Sequence, residues 1–155
     1  MSVISSSRFF SASPLLLLVV ATGCSGTYDA SVSGTVTFDG SPLKSGSISF
    51  IPGQPGPASY AAVLGDGSYT VNTGREEGLP PGSYTITVMA REKSIEDTSG
   101  RGLPPMPGKQ ITPTWYAQKK SSPLKFTVEA GSNEINLELT SDPPPDWNPP
   151  KRRKR

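Results

Sequence analysis

A chain of 155 residues with 15 Lys and Arg against 13 Asp and Glu carries a net charge of +2, has no histidine and has one cysteine. Without histidine it lacks both the side chain best suited to general base work near neutral pH and the commonest zinc ligand, which argues against metallopeptidase chemistry and for a non-enzyme. One cysteine cannot form an intramolecular disulfide, and since the last five residues supply +5, the rest of the chain is mildly acidic at −3.

The chain opens with a lone Arg8, an apolar run from Leu15 to Ala21, and then Ala21-Thr22-Gly23-Cys24-Ser25. A charged lead, a short apolar core and small residues before a cut site make a secretory signal over 1–23, too short for a stable membrane span. The stretch resembles the lipobox of bacterial lipoproteins, with Ala21 where that motif usually has Leu. The resemblance implies that Cys24 is lipidated and becomes the mature N-terminus, with three acyl chains, where two or more anchor stably. Ser25 after the cysteine implies the outer membrane. Residues 24–29 then form a tether.

Between signal and tail lie about 115 residues, the size of one domain with one core. Period-two alternation recurs through residues 30–140 and no segment keeps a helical period, so the expectation is all-β. In the first strand Val32, Gly34, Val36 and Phe38 share one face and Ser31, Ser33, Thr35 and Thr37 the other, with Asp39-Gly40 as the turn. The second places Ile48 and Phe50 inward and stops at Pro52-Gly53, because proline removes ladder donors. A third runs from about Ser59 to Leu64. Gly65-Asp66-Gly67 before Tyr69-Thr70-Val71 predicts a tight hairpin, since glycine and aspartate tolerate positive φ. The fifth, Ser83 to Ala90, alternates Tyr84, Ile86 and Val88 with Thr85, Thr87 and Met89. Leu124-Phe126-Val128 and Ile135-Leu137-Leu139 flank Ala130-Gly131-Ser132-Asn133 as a second predicted hairpin. Seven short strands favour an immunoglobulin-like or prealbumin-like β-sandwich.

Arg91 to Ser122 is long for a connection, and such loops are commonly functional or mobile. Trp115 and Tyr116 within it are either an aromatic platform for a sugar or peptide or a cap on an open end of the core. Asp39, Asp66, Glu96 and Asp97 offer oxygens for calcium, but the first two have sufficient reason in their turns and none sits in a ligand-spaced loop. No phosphate loop or serine elbow is present, so neither catalytic residues, metal nor cofactor is expected.

Val32-Ser33-Gly34-Thr35-Val36, Gly65-Asp66-Gly67-Ser68-Tyr69, Pro80-Pro81-Gly82-Ser83-Tyr84-Thr85-Ile86-Thr87-Val88 and Val128-Glu129-Ala130-Gly131-Ser132-Asn133-Glu134 together resemble the carboxypeptidase regulatory-like, transthyretin-like β-sandwich. The likeness, over about Ala30 to Thr140, is to small exported lipoproteins of Planctomycetes in which a lipobox precedes one such domain. It implies an accessory, adhesive or scaffold module without catalytic residues. Gly34 and Gly82 would serve backbone geometry, and Tyr84 would pack in the core with its hydroxyl bonded near the turn.

The tail, 141–155, runs Asp142-Pro143-Pro144-Pro145-Asp146-Trp147-Asn148-Pro149-Pro150 before Lys151, Arg152, Arg153, Lys154 and Arg155. Its composition cannot bury a core and predicts an extended, disordered chain. The five cations would contact anionic lipid, lipopolysaccharide, acidic polysaccharide or nucleic acid, with Trp147 at an interface, or else form a solvated tail with no dedicated partner. Export argues against reading the cluster as a nuclear signal, and no dedicated nucleic-acid partner is expected. Strict alternation of seven strands would start this tail at the pole opposite the anchor, and fifteen extended residues reach roughly 45 Å. The expected whole is an exported, lipid-anchored envelope module. Its partners would be the membrane at Cys24 and an envelope protein, glycan or anionic polymer, with a carbohydrate-binding module using Trp115, Tyr116 or Trp147 as the alternative.

Overall fold

A computed structural model describes residues 27–96, 102, 104–145 and 147–148 of the chain. Among these there are strands and no helix. One sheet joins β1 (Ala30–Phe38) to β2 (Ser41–Pro42), β5 (Ser68–Thr70), β10 (Gly131–Glu134) and β11 (Leu137–Leu139). The other runs, in spatial order, β7 (Glu76–Glu77), β6 (Asn72–Thr73), β4 (Ser59–Val63), β3 (Gly46–Pro52), β8 (Gly82–Met89) and β9 (Lys125–Val128). The two sheets make an immunoglobulin-like β-sandwich, the predicted fold class. Each of the seven predicted strands is present, and β2, β6, β7 and β10 are additional short ones.

Alternation places the core. Val32 and Val36 of β1, Tyr69 of β5 and Leu137 and Leu139 of β11 are buried on the first sheet; Ile48 and Phe50 of β3, Ala61 and Val63 of β4, and Tyr84, Ile86 and Val88 of β8 are buried on the second. Phe50, fully buried, lies 6.3 Å from the Tyr69 ring and 6.1 Å from that of Tyr84, the latter edge-on. Offset and edge contacts of this kind suit the ring quadrupoles and add to the area that the rings bury. The Tyr84 hydroxyl donates to the Pro80 carbonyl at 2.7 Å, tying the start of β8 to its proline lead-in.

Both predicted hairpins are corrected. The turn at Gly65-Asp66-Gly67 forms, with the Gly67 N–H on the Leu64 carbonyl at 2.9 Å, but its strands part. β4 stays with β3, while β5 crosses to the other sheet and pairs antiparallel with β1, Tyr69 opposite Gly34. At the second site, β9 pairs with β8, and Gly131-Ser132-Asn133 is not a turn: it lies in β10, parallel to β1, with β11 continuing parallel beyond it. The corner falls earlier, where the Asn133 carboxamide accepts from the Glu129 N–H at 2.9 Å and donates to the Glu129 carbonyl at 2.7 Å.

Gly34 is the junction that allows this. The Tyr69 phenol donates to the Ile135 carbonyl at 2.6 Å, from one neighbour of β1 to the other. A Cβ on Gly34 would stand 2.1 Å from that carbonyl oxygen, so only glycine leaves the space. Beside it the Asn136 carboxamide oxygen accepts the Thr35 N–H at 2.9 Å and hydroxyl at 2.8 Å, replacing ladder bonds where β10 and β11 are interrupted.

Tyr69→Phe removes the donor and leaves the Ile135 carbonyl buried without its partner, an expected loss of about 1–3 kcal/mol in urea unfolding at neutral pH. Burial also pushes the Tyr69 phenol above its ordinary value of 10.0. The folded state therefore favours the neutral phenol, a stabilisation complete below the unfolded value and lost as pH rises beyond it. Wild type should lose stability more steeply than Tyr69→Phe above pH 10; parallel curves would show that the phenol is not buried in the fold.

Candidate functional site

The long connection after β8 is not an open loop. From Arg91 it runs out and returns as a narrow arm, with Arg91 opposite Gln110 and Ile95 opposite Met106. Gly108 lets its two sides meet, since a Cβ there would lie 2.2 Å from the Glu92 carbonyl oxygen. The returning chain then serves as an irregular edge partner for β8. The Ala90 N–H goes to the Thr112 hydroxyl at 3.0 Å, the Val88 N–H to the Tyr116 carbonyl at 2.9 Å, and the Ile86 N–H to the Leu124 carbonyl at 2.8 Å. Satisfying these donors fixes Trp115 and Tyr116 against the sandwich.

Tyr116 is 3% exposed and belongs to the core. Its hydroxyl accepts the Thr140 N–H at 3.2 Å, joining the segment along β8 to the chain leaving β11 and so bridging the two sheets. A buried ring with its hydroxyl engaged offers no face to a ligand, so of the two expectations for this residue the cap describes its position. Trp115 is half-buried against the core, its ring 6.0 Å from that of Tyr116. Its indole N–H is buried and, among the described residues, is the one buried side-chain nitrogen or oxygen without a hydrogen-bond partner.

Trp147 completes the cluster. Where an extended tail is expected, the described part, though largely exposed, makes a turn: the Trp147 N–H donates to the Pro144 carbonyl at 2.9 Å and the ring sits 5.4 Å from Trp115, tilted by 57°. Sequence reasoning named all three aromatics but did not bring Trp147 to Trp115; the one signal for it was an aromatic residue isolated in a proline-rich stretch. Beside the pair opens a cleft of about 360 Å³ lined by Lys120, Ser121, Pro123, Pro144, Trp147 and Asn148. Apart from Trp147, these lining residues were not singled out from sequence, because they meet only when the tail folds back.

The other candidates are placed as follows. Asp39, at positive φ, accepts the Ser141 N–H at 2.8 Å. Asp66 accepts the Ser68 hydroxyl at 2.7 Å and N–H at 2.9 Å, which holds its carboxyl below the usual range. Among the described residues no three of Asp, Glu and Cys converge to hold a metal ion, and no helix is long and apolar enough to cross a membrane. Cys24, Asp97 and Lys151, Arg152, Arg153, Lys154 and Arg155 lie outside the described residues.

Parallel pairing of β1 with β11 sets the polarity of the domain. The chain comes in at the pole of Ala30, beside Gly131, and leaves at the pole of Phe38, beside Leu139. Through Thr140 the aromatic cluster belongs to the leaving pole. No family model, curated protein or solved structure matches this chain.

Proposed function

We propose that the protein is an exported, lipid-anchored β-sandwich of the carboxypeptidase regulatory-like kind, acting as a non-catalytic binding or structural module at the cell envelope. The observation that carries this is the polarity of the sandwich. A lipid on Cys24 would tether the pole of Ala30, leaving the Trp115–Trp147 cluster and its cleft at the pole turned away from the membrane. Tethering then raises the local concentration of the cleft at a neighbouring surface polymer or protein, so modest contacts suffice. The Tyr84 hydroxyl on the Pro80 carbonyl supports the family likeness, since that bond is the structural role implied for this tyrosine.

Expression of the full chain in a bacterial host with labelled palmitate, followed by intact mass, tests the anchor. Wild type should carry label and added lipid mass on a chain beginning at Cys24, and Cys24→Ala should carry neither. An unlabelled wild-type chain cut elsewhere would make it a freely secreted sandwich.

A further inference from the structure

We propose that the cleft at the Trp115–Trp147 seam binds an acidic polysaccharide, one sugar ring lying on Trp147 with its carboxylate at Lys120. This deepens the binding-module reading and rests on it. The lining supplies the groups that such a ligand requires. A sugar ring presents a flat C–H face and a rim of hydroxyls; Trp147 offers a flat apolar ring, the Asn148 carboxamide beside it can donate and accept, and the Ser121 oxygen, whose proton goes to the Trp115 carbonyl at 2.9 Å, can accept. Trp147 packs against Trp115 at a tilt of 57°, and Trp115 packs against the buried Tyr116 at a tilt of 48°. A ring already held in place costs little further entropy when a ligand lands on it.

Charge selects an acidic ligand. Lys120 is exposed and lines the cleft, whereas its neighbour Lys119 is tied to the Pro52 carbonyl at 3.0 Å. Three residues beyond Asn148 the run Lys151-Arg152-Arg153-Lys154-Arg155 begins, a span of about 10 Å at most for an extended chain. One cation lining the cleft, in a chain whose run of five begins three residues after a lining residue, suits a polymer bearing repeated negative charge, whereas a neutral glycan leaves that charge unpaired. A bilayer is the poorer fit, because the tryptophan ring is packed at the seam and the cluster belongs to the pole opposite Ala30.

The purified full chain is titrated with polygalacturonate, neutral dextran, phosphatidylglycerol vesicles and single-stranded DNA. Its only two tryptophans are the proposed pair, so intrinsic fluorescence reports on the site. Polygalacturonate should bind and dextran should not. Trp147→Ala should weaken binding about tenfold or more and Lys120→Ala several-fold, with the melting temperature held within about 2 °C because neither side chain belongs to the core. Replacing residues 151–155 with serine should flatten the salt dependence while leaving the Trp147 effect in place. Four results would each overturn the proposal: no binding of polygalacturonate, polygalacturonate binding that survives Trp147→Ala unchanged, dextran bound equally well, or vesicles or DNA bound more tightly than polygalacturonate. The palmitate result is independent of all four. A labelled chain that ignores polygalacturonate keeps the anchored module and loses this site; an unlabelled chain that binds it keeps the site and loses the anchor.

Discussion

Gly34→Ala is expected to lower the unfolding free energy by about 3 kcal/mol, at the upper end of what overpacking usually costs, and the melting temperature by about 10 °C or more. The new methyl carbon would stand 2.1 Å from the Ile135 carbonyl oxygen. That oxygen cannot easily move, since the Tyr69 hydroxyl holds it at 2.6 Å and the Ile135 N–H is held by the Ser33 carbonyl at 2.9 Å. Gly40→Ala is the control. Gly40 has φ 79° and open space around it, so alanine there meets conformational strain alone, about 1 kcal/mol. Equal losses in the two variants, read by urea unfolding, would mean that Tyr69 and Ile135 do not meet across β1.

Phe50→Ala should cost about 3–5 kcal/mol, a large share of the 5–15 kcal/mol typical of a whole domain. Phe50 is fully buried at the centre of β3, between β4 and β8, and its ring contacts tyrosines from both sheets. Truncation removes the burial and leaves a cavity that two tyrosines, each held by its own hydroxyl bond, cannot collapse to fill. Thermal unfolding followed by circular dichroism checks it. A loss under about 1 kcal/mol would place Phe50 outside the inter-sheet core.

The aromatic cluster shows where reading the residues stopped. Trp115, Tyr116 and Trp147 attract notice as aromatics in weakly patterned stretches, but whether each caps, stacks or binds depends on what the rest of the chain brings to it. Tyr116 goes inward because its carbonyl takes the Val88 N–H and its hydroxyl the Thr140 N–H, two partners 28 and 24 residues away. The proline-rich composition between Asp142 and Asn148 reads as extended, and so it hides a turn that brings the Trp147 ring against Trp115 at a tilt of 57°. Lys120 and Asn148 carry no pattern at all.

Strand positions and their inward faces were legible along the chain, because alternation of apolar with Ser and Thr residues is a local property of a half-buried sheet, as in β1 and β8. The turn at Gly65-Asp66-Gly67 was legible for the same reason: its conformation is set by its own glycines and by the Asp66 carboxylate on Ser68. Which sheet each strand joins was not. A turn fixes the reversal of the chain and leaves the pairing of the outgoing strand to distant contacts, here the gap at Gly34 that admits Tyr69 and the run of β10 and β11 parallel to β1. Those pairings lie roughly 35 and 100 residues apart along the chain, so no local pattern encodes them, and it is they that set the two poles and bring the aromatic seam to the leaving one.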